Sequence, residues 1–127
     1  MAAVTRELAR HDINIRALSI ADTSDFGILR LIVNDPEKAY RVLKNAGFTV
    51  SLTQVLGVEM PDRPGGLSRV LDILEEKGIN IEYLYAFIGR GGEEALVIFR
   101  VEDLDRAIQV LQSRQIPLLT EEKAYSL

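Results

Sequence analysis

Apolar residues along this chain follow two periods, and the periods alternate in the same order twice. Leu67, Val70, Leu71 and Leu74 recur at i, i+3, i+4 and i+7, one face of a helix that Gly78 closes. The preceding stretch 53–60 is β-branched and apolar, a strand, and Asp62-Arg63-Pro64-Gly65-Gly66 between them is a turn by composition. Residues 79–88 and 95–101 read as two strands joined by Gly89-Arg90-Gly91-Gly92. Asp103 is placed to cap a helix whose apolar stripe is Leu104, Ala107, Ile108 and Leu111, and residues 116–119 make a short closing strand. The order β-α-β-β-α-β predicts a ferredoxin-like α+β unit, an antiparallel sheet with its helices on one face.

The same plan runs through the first part of the chain. Ile13-Asn14-Ile15 returns 66 positions later as Ile79-Asn80-Ile81. Val33-Asn34-Asp35 with Ala39 returns 68 positions later as Val101-Glu102-Asp103 with Ala107, and Val42-Leu43 as Val110-Leu111. The two extra residues fall in the turn where Gly89-Arg90-Gly91-Gly92 replaces the tighter Asp22-Thr23-Ser24-Asp25, as an insertion between duplicated modules does. Two tandem units are therefore expected, residues 1–52 and residues 53–127, the second ending in a tail at 120–127. In the first, Val4 and Leu8 face inward on a helix, 13–21 and 26–33 form a hairpin, and Asp35-Pro36 starts a helix that Gly47 ends. Residues 48–52 run on towards the second copy.

Register exposes a gap. The counterpart of Leu67 is Met1, so the first strand and its turn, the counterparts of 53–66, have no residues in the first copy. That strand is central in a β-α-β-β-α-β sheet, and the first unit is expected to be truncated at its N-terminus. Three explanations stand side by side: a strand upstream of Met1 in a longer reading frame, a strand donated by a partner chain, or a rearranged three-strand sheet. Each leaves edge groups that invite strand addition.

The strands are more apolar than a sheet with one wet face requires. Ala95-Leu96-Val97-Ile98-Phe99 is apolar throughout. Ile79, Ile81, Tyr83, Tyr85 and Phe87 are expected on one face of their strand, with Leu84, Ala86 and Ile88 on the other. The second face is expected to be covered by another copy or another chain, which makes a homodimer the favoured assembly.

Composition narrows the function. A chain of 127 residues with 47% hydrophobic and 27% charged residues is that of a globular protein with room for one ordinary domain or two very small ones. The absence of cysteine removes disulfides, thiolate metal sites and cysteine nucleophiles together. The single histidine, His11, sits at the end of the first helix, where it favours the helix dipole. A net charge of −4 gives no footprint for nucleic acid. No stretch has the ~20 apolar residues of a membrane span, and the N-terminus has no signal-peptide pattern. A cytoplasmic protein is expected, with no cofactor, no metal and no recognisable catalytic set.

One loop carries ligand chemistry. Asp62-Arg63-Pro64-Gly65-Gly66-Leu67 joins a strand to a helix N-terminus, whose free N–H groups and dipole attract a carboxylate or phosphate. Two glycines let the backbone turn sharply and let a ligand come close. Asp62 is positioned to meet an ammonium group on the same molecule, so a small zwitterion suits the loop.

Here the chain resembles the ACT domain, a ferredoxin-like regulatory module. The resemblance rests on Val58-Glu59-Met60-Pro61-Asp62-Arg63-Pro64-Gly65-Gly66-Leu67, then Val70-Leu71 and Leu74, then Gly78-Ile79-Asn80-Ile81. More narrowly, the chain is similar to small bacterial stand-alone proteins made of two ACT units. The resemblance implies a free amino acid as effector, held between the loop of one unit and the second strand of a neighbour. Carried over, the loop residues are Asp62, Arg63, Pro64, Gly65, Gly66 and Leu67. The facing strand is Asn80, Ile81 and Glu82 in one copy and Asn14, Ile15 and Arg16 in the other. The first copy lacks the loop, so one loop-built site per chain is expected. The implied function is that of a non-catalytic amino-acid-binding regulator of an unidentified enzyme. The alternative is an interaction or dimerisation module that docks on an amino-acid biosynthetic enzyme without a ligand of its own.

Overall fold

A computed structural model describes residues 2–22, 27–87 and 94–119. The chain divides into two compact units, the first within residues 2–53 and the second within 54–119 of the described chain. The fold is mixed α+β in both, with antiparallel strands and amphipathic helices.

Unit 1 contains α1 (Ala2–Arg10), β1 (Ile15–Asp22), β2 (Gly27–Val33) and α2 (Pro36–Asn45). β1 and β2 form an antiparallel pair from Ile15↔Val33 to Asp22↔Gly27. Leu8, Ile13, Val33, Ala39 and Leu43 make its buried core, with Val4, Leu31, Phe48 and Val50 packed against it. Val4 and Leu8 face inward as the sequence predicts. Asp35 caps α2: its Oδ1 accepts from the Lys38 N–H at 3.2 Å, and Pro36 occupies the first turn, where no N–H is needed.

Unit 2 contains β3 (Leu56–Pro61), α3 (Gly66–Glu76), β4 (Ile81–Ala86), β5 (Glu94–Val101) and α4 (Leu104–Ser113). Its sheet order is β3-β5-β4, antiparallel throughout. The closing strand expected at 116–119 is reduced to a bridge between Val58 and Leu118. Two backbone bonds flank it, Glu59 N–H to Pro117 O at 3.0 Å and Leu119 N–H to Gly57 O at 2.9 Å. The edge order is thus the ferredoxin-like one, with the fourth segment beside the first. Phe99, Leu74, Leu111 and Val58 are the fully buried centre of the core. Burying a side chain of this size stabilises by roughly 1.5–3 kcal/mol relative to leaving it exposed. Asp103 caps α4, its Oδ1 accepting from the Arg106 N–H at 3.2 Å.

The duplication extends to individual bonds. Ile13 N–H donates to Leu8 O at 2.9 Å, and its counterpart Ile79 to Leu74 O at 3.0 Å. Phe48 N–H donates to Leu43 O at 3.0 Å, and Ile116 to Leu111 O at 2.9 Å. Each helix end closes through a left-handed residue: Asp12 (φ 59°) and Gly78 (φ 66°) after α1 and α3, Gly47 (φ 94°) and Gln115 (φ 61°) after α2 and α4.

One expectation about strand faces is overturned. The pairing of β4 with β5 shifts between Ile81 and Tyr83, a β-bulge at Glu82. Ile81 pairs with Val101 and packs into the core, but Tyr83 and Tyr85 pair with Arg100 and Ile98 on the other face. The extra residue reverses the alternation, so Ile81 and the tyrosines do not share a face. The tyrosine rings stack with centroids 6.2 Å apart. On that outer face Leu96 and Ile98 are 5% and 2% exposed within a single chain. Ile88 and Phe26, expected in strands, and the 120–127 tail lie outside the described residues.

Candidate functional site

The loop 62–65 turns the chain from the end of β3 into α3. Arg63 N–H donates to Pro61 O and Gly66 N–H to Arg63 O, each at 3.0 Å, which folds the loop tightly on the strand end. The two glycines have different reasons. A Cβ on Gly66 would collide with the Pro61 carbonyl oxygen, so that position has no room for any side chain. Gly65 has open space around a Cβ, but its φ of 89° is the left-handed region that strains other residues. Close approach of a ligand is therefore a property of Gly65, and Gly66 is required by the turn itself.

Gly65 is the N-cap of α3 and supplies no side-chain acceptor, unlike Asp35 and Asp103 at α2 and α4. Among the described residues no protein group accepts from the N–H of Leu67 or Ser68, the first-turn donors of α3. Beside this terminus lies a pocket of about 320 Å³ whose charged lining is Arg63, Arg69, Glu59 and Glu94. Its lining is completed by Pro64, Gly65 and Gly66 of the loop, Met60 and Val70, and Gln115, Ile116 and Pro117. Two guanidinium groups and helical N–H donors suit a carboxylate, and two carboxylates suit an ammonium group.

The expected site residues distribute unevenly. Arg63, Pro64, Gly65 and Gly66 line the pocket; Asp62 and Leu67 are exposed and outside its lining. Asn80, Ile81 and Glu82 lie at the start of β4, beside Val101 at one end of β5, while Pro61 and the loop sit beside Glu94 at the other end, about 23 Å along the strand, so unit 2 does not bring them to the loop. Asn80 O accepts from the Glu102 N–H at 3.1 Å, Ile81 packs on the core, and Glu82 pairs with Arg100 Nε at 3.0 Å. In unit 1, Asn14 N–H donates to Asn34 Oδ1 at 3.0 Å, Ile15 packs on the core and Arg16 is half-buried. His11 Nδ1 lies 3.0 Å from the Glu7 carbonyl, as its helix-end role predicts.

Glu59, Arg69, Glu94 and Gln115 line the pocket without having been singled out in the sequence. Arg69 carried a readable signal: it follows Gly66 by three positions and so returns to the loop side of the helix. Glu94 carries none, since it reaches the site only through the Pro61↔Glu94 register. No helix among the described residues is long and apolar enough to cross a membrane.

Protein BT0572 from Bacteroides thetaiotaomicron has a solved structure similar to this one. It is 43% identical, with a TM-score of 0.93 over 99% of this chain and 86% of that chain. The regulatory subunit of aspartate kinase from Thermus thermophilus, in its ligand-free form, is 22% identical, with a TM-score of 0.41 over 55% of this chain and 57% of that one. Aspartate kinase from Synechocystis is 21% identical, with a TM-score of 0.37 over 93% of this chain and 25% of that one. The comparison with curated proteins returned no match. The family described as an ACT domain pair matches residues 1–127. With that match across its length, the chain belongs to the ACT domain pair family.

Proposed function

We propose that this protein is a non-catalytic regulator that binds a free amino acid at the N-terminus of α3. ACT domains are regulatory modules, and the observation that carries the ligand reading is the uncapped α3 terminus beside a pocket of mixed charge. The ligand carboxylate takes the N–H groups of Leu67 and Ser68 with Arg63 and Arg69 alongside. Its ammonium group faces Glu59 and Glu94. Asn80, Ile81 and Glu82, or Asn14, Ile15 and Arg16, close the site from a neighbouring unit, and a second copy in a homodimer is the neighbour we propose. In favour of such an assembly, β4 is an edge strand with Leu84 exposed. A regulator of this kind acts on a partner enzyme only if the ligand binds two of its states unequally.

A thermal-shift screen against the twenty amino acids tests the reading. Ligand at 100 times its dissociation constant stabilises by about 2.7 kcal/mol, several degrees for a chain this size. A selective shift that disappears when the ligand carboxylate is replaced by its amide, and in Arg69→Ala, supports the site. Arg69 is exposed, so that variant keeps its fold, whereas Gly65→Val strains the backbone at φ 89° and confuses the result. A flat panel from a folded protein rejects the ligand and leaves the docking-module alternative.

A further inference from the structure

All four helices end through a left-handed residue, and one of the four is unsuited to that conformation. Gly47 and Gly78 have no Cβ to strain, and the short polar side chain of Asp12 tolerates it. Gln115, at φ 61°, has neither advantage. It occupies the place that Gly47 occupies in the first copy, where glycine serves the same turn.

The backbone around Gln115 has no room to relax. Its N–H donates to Gln112 O at 3.0 Å, and the next residue, the buried Ile116, donates to Leu111 O at 2.9 Å. One position further, Pro117 O accepts from the Glu59 N–H at 3.0 Å, which fixes the segment to β3. A conformation held on both sides persists even where it is unfavourable, and such positions recur where function needs the side chain.

That side chain lines the pocket at the N-terminus of α3. Gln115 is exposed, and among the described residues its side-chain amide has no hydrogen-bond partner. The charged groups of the pocket are matched to the two charged ends of an amino acid: Arg63 and Arg69 to the carboxylate, Glu59 and Glu94 to the ammonium group. Met60, Val70, Ile116 and Pro117 add apolar surface, and Gln115 is the one neutral polar side chain in the lining.

We infer that Gln115 is the specificity-determining residue of this site, selecting a neutral amino acid whose side chain ends in a hydroxyl or an amide; the inference rests on the amino-acid site proposed above. The glutamine amide offers an acceptor oxygen and two N–H donors, so it pairs with either end group. The apolar neighbours take the carbon stem of the ligand's side chain. To a charged end group, those neighbours and a neutral amide offer no counter-ion.

Titration of the whole chain with amino acids paired by shape tests this. The pairs are threonine against valine, asparagine against leucine and glutamine against methionine, with lysine and glutamate as charged probes. In at least one pair the polar member is expected to bind about tenfold tighter, as one added hydrogen bond gives. In Gln115→Gly that ratio is expected to fall to about one, while the melting temperature of the ligand-free chain holds or rises by a few degrees. A glutamine needed only for folding predicts the reverse, a lower melting temperature with the ratio intact. Gln115→Asn keeps the amide in a residue that accepts a left-handed φ, and is expected to keep the preference. The inference is overturned if no pair shows the preference, if a charged probe binds tightest, if Gln115→Gly keeps the ratio, or if Gln115→Asn loses it too. In each of those cases, binding that still depends on Arg69 leaves the amino-acid site standing. A folded chain that binds none of the twenty amino acids rejects the site and this inference together.

Discussion

β5 and β2 are the same strand of the repeat in different surroundings. β5 runs between two strands and buries Leu96, Val97, Ile98 and Phe99 in succession. Among the described residues β2 pairs with β1 alone, and its counterparts Ile28, Leu29, Arg30 and Leu31 all keep some exposure. Both strands are mostly apolar, so composition does not explain the difference. The number of neighbours does. A strand's hydrophobicity reports the surroundings it is built for, and among the described residues β2 has fewer of them than β5.

The sharpest way to break this comparison is a pair of core truncations. Phe99→Ala is expected to cost about 3–5 kcal/mol, the range for emptying a fully buried aromatic site. Its counterpart Leu31→Ala, only partly buried, is expected to cost about 1–2 kcal/mol. Denaturant unfolding followed by residue-resolved exchange in each unit compares them, and equal costs would remove the difference between the units.

Gly66→Ala comes next. The collision with the Pro61 carbonyl is expected to cost about 1–3 kcal/mol by overpacking, and to lower protection in unit 2 alone. Loss of protection in unit 1 as well would show that the units do not unfold separately. The caps are expected to behave alike: Asp35→Ala and Asp103→Ala each lose about 1 kcal/mol, read as shifts in the denaturation midpoint. A clear inequality would mean that one of the two helices is held mainly by packing. The smallest effects lie at the helix ends. Gln115→Gly should gain up to about 1 kcal/mol by relieving a left-handed φ, and Asp12→Gly less, because aspartate tolerates that conformation better. Losses at either position in thermal melts would show that the side chain contributes more than its backbone costs.

Much of this architecture is legible in the sequence because its signals are local. The i, i+3, i+4, i+7 stripe of α3, the caps Asp35 and Asp103, and the repeat itself all rest on spacings of a few residues or on direct identity. The faces of β4 are not legible, because no glycine or proline marks the bulge at Glu82 and one extra residue inverts everything after it. The ligand loop is half legible. Arg63, Pro64, Gly65 and Gly66 announce a turn into a helix and Glu59 precedes them on the same strand, but Glu94 and Gln115 join them only through strand register and chain return. Asp62, a reasonable ammonium partner by sequence proximity, points outside the pocket's lining, and the acidic lining comes from the sheet end instead.

The bulge also carries history. In unit 1 the pairing shifts between Ile15 and Ala17, and in unit 2 between Ile81 and Tyr83, the same place in the repeat. The side chains at the two extra positions, Arg16 and Glu82, are opposite in charge, so the irregularity does not depend on what that residue is. A kink kept in both copies while its side chain changed is most economically an inheritance. The single-unit ancestor already wore it before the gene doubled.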